Sequence, residues 1–155
     1  ATGGFSAAES YAWHRQLLER SIAGYDPRVA QPILRGADMR AFEYIDLVHA
    51  RADWITRVEA ALQGFDAVLS PTVPVTAPPV ADVAPGADRD EAFFRLNGLL
   101  LRNPSVVNML DGCAISLPCQ APGEAPVGLM VWHAALHDDS ILGIARQAEG
   151  LLKHP

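Results

Sequence analysis

Residues 108–119, Asn-Met-Leu-Asp-Gly-Cys-Ala-Ile-Ser-Leu-Pro-Cys, contain the segment that decides the fold of this chain. Residues 114–119 are a short apolar run of strand length, and a second apolar run follows over residues 127–132. The turn between them, residues 120–126, is rich in proline and glycine and is too short for the helix that joins parallel strands. The sequence therefore predicts two strands paired as an antiparallel hairpin.

Most of the chain around this hairpin has helical periodicity. Apolar spacing and end signals predict helices over residues 6–22, 27–35, 38–62, 90–107 and 138–152. The fourth is either one helix or two helices divided at Asn103-Pro104, because proline disfavours helix at the preceding residue. Asp38 is the expected N-cap of the third helix, whose expected apolar stripe consists of Phe42, Ile45, His49, Ala52 and Ile55. The last helix is expected to direct inward Ile141, Leu142, Ala145, Ala148 and Leu152.

The fold class predicted from these elements is α/β, a mixed β-sheet flanked by helices. A third apolar strand is expected over residues 67–70, before a proline-rich surface loop over residues 71–88. Three short strands without polar alternation imply neighbours on both faces and at the edges, so the fold is expected to be incomplete on its own. We expect residues 1–155 to form a single segment, helical over 1–64, strand and loop over 65–88, and helix, strands and a terminal helix over 89–155.

The composition supports a chain that buries apolar surface against something else. Of its residues, 50% are hydrophobic and 19% are charged, and the charged share is below the roughly 25% of an ordinary soluble domain. This deficit predicts that part of the apolar surface contacts another chain or a missing segment. An ordinary enzyme domain rich in alanine, leucine and valine is the alternative explanation.

Charge, hydropathy and cysteine usage exclude several classes of function. The net charge of −6 and the absence of a basic stripe argue against nucleic-acid binding. No run of ~18 apolar residues occurs, so no membrane span or membrane partner is expected. The first residues include neither a signal peptide nor an initiator Met, so we expect the chain to begin within a longer protein or after processing. Two cysteines are too few for a disulfide framework, and buried thiols in a cytoplasmic protein are expected.

Two motifs have a recognisable pattern. Residues 65–74 read Phe-Asp-Ala-Val-Leu-Ser-Pro-Thr-Val-Pro, and the region 102–129 contains Arg102, Asn108, Ala114, Ser116, Pro118 and Pro-Val-Gly-Leu at 126–129. Together they resemble the C-terminal third of an amidase-signature amide hydrolase, whose usual run is similar to Arg-x-Thr-x-x-x-Asn-x-x-Gly-x-Pro-Ala-x-Ser-x-Pro followed by Pro-Val-Gly-Leu-Gln. The chain departs from that run at Pro104 for Thr, Asp111 for Gly, Cys113 for Pro and Met130 for Gln.

The resemblance implies a large mixed sheet covered by helices and the hydrolysis of a carboxamide to a carboxylate and ammonia or an amine. It also implies a serine nucleophile, a second serine in a cis peptide bond and a lysine base, all upstream of the matched region. This chain contains no Gly-Gly-Ser-Ser-like run, and its one lysine is Lys153, near the C-terminus. We therefore expect no catalytic residue, no metal site and no cofactor in the chain, and no activity from the chain alone.

The resemblance also suggests substrate-binding positions ahead of the asparagine. Positions ten, seven and three residues before it are Gly98, Leu101 and Ser105, which would share one face of a continuous helix. Leu101 indicates an apolar acyl group, and Leu136, after the last strand, is a second candidate for the pocket wall. Both leucines could instead pack in the core.

Arg102 belongs to the same set of candidates. Its guanidinium could anchor a carboxylate through two parallel N–H groups. The alternative is an ion pair with an acidic neighbour such as Asp111.

Several other residues have simpler interpretations. His133 and His137 have a spacing that suits zinc on a helix, but they fall at a predicted strand end and loop, which argues against a metal. His14 is expected to be a core histidine with a hydrogen-bond partner. A cysteine nucleophile is disfavoured because neither cysteine has an evident basic neighbour.

The expected partners follow from these predictions. They are the missing N-terminal portion of the same protein or a partner chain, and a small-molecule amide substrate, with a homo-oligomer left open. The alternative function is a non-catalytic binding or assembly module that docks permanently on a partner chain.

Overall fold

The computed structural model describes residues 4–152, which form six α-helices and three strands. In chain order these are α1 (Gly4–Ser21), α2 (Pro27–Leu34), α3 (Ala41–Leu62), β1 (Val68–Pro71), α4 (Val80–Val83), α5 (Asp90–Met109), β2 (Cys113–Pro118), β3 (Gly128–His133) and α6 (Asp138–Leu152). They divide into two compact units, one ending at Asp53 and the other starting at Trp54, so that α3 begins in the first and ends in the second.

The first unit packs α1 against α2 and the short turn that follows α2. Its core consists of Leu18, Ala30 and Ile33. Helix α2 starts at Pro27, as predicted, and Asp26 caps it: its carboxylate accepts the backbone N–H of Arg28 at 2.8 Å. The expected core histidine His14 is half-buried, with Nδ1 2.8 Å from the hydroxyl of Tyr25.

The start of α3 differs from the prediction. Asp38 is not its N-cap, because residues Arg35–Asp38 form a 3-10 turn and Met39 is extended. Helix α3 begins at Ala41, and the carboxylate of Glu43 accepts the backbone N–H of Arg40 at 2.8 Å. A first-turn glutamate that reaches back to the residue before the helix is half of a capping box, and it displaces Asp38 from the role.

The predicted apolar stripe of α3 is also mostly wrong. Phe42 and Ile45 are 53% and 52% exposed, and His49 and Ala52 are exposed as well. Of the predicted stripe, only Ile55 packs against a core cluster. The second half of α3 instead contributes Trp54, Ile55, Val58 and Leu62 to the core.

The second unit is built on a three-stranded antiparallel sheet in the order β1-β3-β2. The predicted hairpin of β2 and β3 is confirmed, with Pro118 opposite Gly128 and Cys113 opposite His133. Strand β1 pairs with the other edge of β3, with Pro71 opposite Leu129. The prediction of an α/β chain with a sheet flanked by helices is therefore confirmed.

Each face of the sheet packs on helices. On one face, Cys113, Leu117 and Val131 pack against Ile141 and Ala145 of α6. On the other face, Trp132 and Val68 pack against a cluster formed by Leu62, Leu110 and Ala134. Residues on alternate sides of a strand thus serve two separate cores.

Two further predictions about helices are resolved. Helix α5 runs unbroken through Pro104, so the continuous alternative holds. Helix α6 has the predicted bounds, but Leu142 is 55% exposed and does not point into the core. The predicted loop over residues 71–88 contains the short helix α4. Within residues 4–152, none of the helices combines the length and the apolar character needed to cross a bilayer.

The end of α5 explains one departure from the amidase run. Asp111 has φ 53°, the left-handed conformation that usually ends a helix at glycine. The N–H of Asp111 donates to the carbonyl of Asn108 at 3.3 Å, and the N–H of Gly112 donates to that of Val107 at 3.0 Å. This is the double hydrogen bond of a Schellman motif, which aspartate preserves because its short side chain tolerates the left-handed region.

We predict that Gly112→Ala destabilises the second unit by about 1–3 kcal/mol, the usual cost of overpacking a tight site. A Cβ at Gly112 would collide with the backbone oxygen of His133 and lie 3.1 Å from Cγ1 of Val107. Gly143→Ala is the matched control, because a Cβ there meets nothing within 4 Å. On the exposed side of α6 it should stabilise by roughly 0.5–1 kcal/mol. Urea unfolding followed by circular dichroism measures both changes, and equal midpoints for the two variants would contradict this account.

We also predict a pH-dependent start of α3. A hydrogen bond from the Arg40 guanidinium, and another from its backbone N–H, lower the pKa of the Glu43 carboxyl from 4.5 to about 2. Because this pKa is depressed in the folded protein, the stabilising contribution is present above pH 4.5 and is lost as the pH falls toward 2. Carbon NMR titration of the Glu43 carboxyl should give this low midpoint in the native protein.

Two variants test separately the effects of the Arg40 guanidinium and of the Glu43 charge at the start of α3. Arg40→Ala should raise the Glu43 midpoint toward 4.5, since it removes the stronger of the two hydrogen bonds. Glu43→Gln keeps the acceptor for the Arg40 N–H and should leave a start of α3 that does not change with pH. A native Glu43 midpoint near 4.5 would show that the ion pair is not formed in solution.

Candidate functional site

A groove of about 440 Å³ lies in the second unit between the end of β1, α5 and β3. We call it the β1–α5 groove. Its lining residues are mostly apolar or uncharged, and Arg102 is the one that carries a charge. The lining consists of Ser70, Pro71, Pro74, Arg102, Asn103, Val106, Met130 and Trp132. Its volume falls within the range of ordinary small-molecule pockets, roughly 300–1,000 Å³.

Two side-chain hydrogen bonds hold the walls of this groove. The amide Nδ2 of Asn103 donates to the backbone oxygen of Pro71 at 2.8 Å, which ties α5 to the end of β1. The indole Nε1 of Trp132 donates to the hydroxyl of Ser70 at 3.3 Å, which fixes the ring between β3 and β1. Strand β1 lies at an edge of the described sheet, so the carbonyl of Pro71 is available to Asn103.

A second cluster joins the three strands beside the groove. The hydroxyls of Thr72 and Ser116 are 2.5 Å apart, and the N–H of Thr72 donates to the carbonyl of Gly128 at 2.8 Å. A Cβ at Gly128 would lie 2.5 Å from each of these hydroxyl oxygens. Three separate parts of the amidase-like pattern, Pro-Thr, the β2 serine and Pro-Val-Gly, therefore meet at one point, where glycine is required by close packing.

The predicted substrate-binding residues of α5 lie together on one exposed face. Gly98, Leu101 and Ser105 are all exposed, and Leu101 retains 53% of its accessible surface. Because α5 is continuous, their spacing of three and four residues places them side by side. The core-packing alternative for Leu101 therefore does not apply within the described residues.

The other two predicted positions differ from each other. Arg102 lines the β1–α5 groove, and it is the only one of the five predicted residues to do so. Its Nε donates to Oδ1 of Asn103 at 3.3 Å. Leu136 lies in the loop before α6 in a left-handed conformation, φ 66°, with 96% of its surface exposed. It contributes to no core cluster of the described residues and to no wall of the groove.

Sequence reasoning missed Asn103 and Trp132 as groove residues. Asn103 stands out in the sequence only as the residue before Pro104, where the predicted helix either continues or divides. Trp132 also belongs partly to the core, since it packs on the Leu110 cluster. A weak signal existed for Trp132, whose indole N–H lies on an otherwise apolar strand and needs a partner.

The histidines and cysteines do not form a metal site in the described part of the chain. His133 is buried; its Nε2 is 3.2 Å from the backbone oxygen of Phe65, and its Nδ1 has no hydrogen-bond partner among the residues that the structure describes. Its ring lies 4.0 Å from that of His137, centre to centre. Within residues 4–152, no three histidine, cysteine or carboxylate side chains group as metal ligands.

Several known proteins are similar to this chain. It is 24% identical over 151 residues to 2-amino-5-chloromuconic acid deaminase of Comamonas testosteroni, covering 97% of the chain and 32% of the relative. It is 31% identical over 132 residues to a glutamyl-tRNA(Gln) amidotransferase subunit from Salinispora arenicola, covering 82% of the chain and 26% of that relative.

Solved structures agree with these relatives. A crystal structure of an amidase matches with a TM-score of 0.71 and 27% identity, over 89% of this chain and 31% of the amidase. The 6-aminohexanoate cyclic dimer hydrolase has the same fold over 81% of this chain and 27% of its own, with a TM-score of 0.61. No model of a protein family matches the chain.

The chain thus spans between about a quarter and a third of the length of the relatives it matches. These relatives and neighbours confirm the resemblance inferred from the motifs. The chain is thus similar in sequence and fold to a C-terminal portion of amidase-signature proteins.

Proposed function

We propose that this chain is the C-terminal segment of a serine-dependent amidase that hydrolyses a carboxamide to a carboxylate and ammonia or an amine. In this proposal the chain supplies core structure and part of the acyl-binding pocket. The nucleophilic serine, the second serine and the lysine base belong to a portion of the protein outside these residues. The chain then forms one segment of a single amidase domain, although its own residues pack as two units.

The observation that carries the proposal is the structural match to an amidase. Nearly the whole chain, 89%, aligns with 31% of that enzyme. A match of this kind suits a segment that completes a larger domain better than it suits an independent module. It favours amide hydrolysis over permanent docking by a non-catalytic module, the alternative function.

The exposed face of α5 supports the pocket assignment. Gly98, Leu101 and Ser105 present a small residue, an apolar side chain and a hydroxyl on adjacent turns. Leucine at the centre suits an apolar acyl group, whereas a charged headgroup would require a charged partner there. In this proposal Leu136 adds a second part of the wall, from the loop before α6.

We expect the 155-residue chain alone to release no ammonia from aliphatic or aromatic primary amides above the buffer rate. The reason is that a serine hydroxyl needs an adjacent base to attack an amide, and the proposal places both elsewhere. The same assay on the protein as isolated from its source, whose length is read from its intact mass, should show turnover. Turnover by the 155-residue chain would refute the proposal that the catalytic residues lie outside it. Inactivity of the longer protein would favour the non-catalytic binding module.

We also predict that Leu101→Asp in the active protein raises KM for apolar amides by about tenfold or more, because it places an unpaired charge against the acyl group. Leu101→Met should change KM little, since it conserves volume and polarity. Leu142→Asp is a matched control on α6, with 55% exposure against 53% for Leu101. If both aspartate variants change KM equally, Leu101 has no special place in the pocket.

A further inference from the structure

The Arg102 guanidinium is a cation without a carboxylate partner among the described residues. Within residues 4–152 its side chain makes one polar contact, from Nε to Oδ1 of Asn103 at 3.3 Å, and the expected alternative pair with Asp111 is not formed. Both terminal nitrogens are therefore free of protein partners in the described part of the chain. A guanidinium presents these nitrogens as a planar fork that matches a carboxylate.

The position of Arg102 on α5 places it between two surfaces. Successive residues of a helix advance by about 100° around its axis. Arg102 is therefore flanked on one side by the Gly98–Ser105 face and on the other by Val106, which lines the β1–α5 groove. A ligand that contacts the face formed by Gly98, Leu101 and Ser105 is therefore within reach of the Arg102 guanidinium.

The rest of the groove suits an apolar body next to that charge. Trp132, Met130 and Val106 supply apolar walls, and the Trp132 ring is already held by its hydrogen bond to Ser70. A fixed aromatic wall costs little conformational entropy when a ligand binds. The described lining of the groove contains no carboxylate, so an anion entering it meets attraction from Arg102 and no repulsion from these walls.

We propose that the β1–α5 groove binds the carboxylate of a small organic acid with a short apolar body, through the fork of Arg102 and against Trp132. This inference rests on the proposed amidase function, and it adds that the ligand of the groove carries a negative charge. Two sources share this chemistry. One is an amide substrate that carries a second, non-reacting carboxylate, and the other is the acid that hydrolysis releases.

The first experiment measures binding directly and needs no turnover. The indole N–H resonance of Trp132, assigned by its loss in Trp132→Phe, is followed by NMR while the protein, at its natural length, is titrated with hexanoate or with 2-heptanone. The two probes have nearly the same shape and differ in charge, and the ketone has no amide bond that an amidase could hydrolyse. We expect hexanoate to shift the resonance with a Kd at least about tenfold lower than that of 2-heptanone, as a charge-assisted hydrogen bond allows.

Variants of Arg102 test whether its guanidinium is the group that binds the carboxylate. Arg102→Met should abolish the preference for hexanoate, and Arg102→Lys should keep part of it, because lysine retains the charge without the fork. Arg95→Met, on the same helix and outside the groove lining, is the control for the loss of one positive charge and should keep the full preference. Equal binding of the two probes, or a preference that survives Arg102→Met, would overturn the proposal. If Arg102→Met does not fold, the two-probe comparison on the wild type and on Arg102→Lys decides the question.

A third titration with 6-oxoheptanoate, in which a methyl ketone replaces the hydrolysable amide of adipamate, distinguishes the two sources. Tighter binding of 6-oxoheptanoate than of hexanoate assigns the groove to substrate, and the reverse assigns it to the released acid. Ammonia release, measured separately, tests the amidase function. Carboxylate binding without ammonia release would leave this inference standing and remove the proposed function, and ammonia release without carboxylate binding would do the opposite.

Discussion

Strand β3 lies between β1 and β2, and the two registers that it fixes determine the arrangement of the second unit. Leu129 of β3 lies opposite Pro71, and Gly128 of β3 lies opposite Pro118. The ends of the three strands therefore meet where Thr72 and Ser116 share a hydrogen bond. A slip of one residue would turn every side chain of β3 to the other face. It would move Val131 out of the core against α6 and withdraw Trp132 from the groove. The hydrogen-bonded junction and the groove are thus consequences of one pairing.

The same pairing leaves surfaces of each unit open. Strand β2 has one edge without a partner among the described residues, and its Ala114 and Ser116 are both exposed. Unpaired edges and exposed apolar side chains are costly in a complete globular protein. In the first unit, Trp13 is 84% exposed, and Phe42 and Ile45 are more than half exposed. Both units therefore have the surface expected of pieces that are covered in a larger structure, which agrees with the low share of charged residues.

Local chemistry made much of the fold predictable, and tertiary contacts account for what was missed. The hairpin, the bounds of α6 and the start of α2 at Pro27 follow from residues adjacent in sequence, and all three were predicted. Helix α3 is apolar on more than one side, so periodicity could not tell which side is buried. Its start was missed because Gly36 packs where any Cβ would collide with Ala7, which holds residues 35–38 in a 3-10 turn and leaves capping to Glu43. No short-range pattern encodes such a contact.

The sequence predicted only the part of the candidate site that depends on helical spacing. The shared face of Gly98, Leu101 and Ser105 needs nothing but an unbroken α5, which Pro104 made uncertain from sequence. The groove needs residues from β1, α5 and β3 that are far apart in the chain, and only the sheet register brings them together. Arg102 shows why the difference matters. From sequence it could pair with Asp111 or hold a ligand, and the free terminal nitrogens in the structure favour the ligand. An arginine at the rim of an apolar groove remains well hydrated until a carboxylate replaces that water. Its cost to the folded chain is therefore small, and its fork stays available for a ligand.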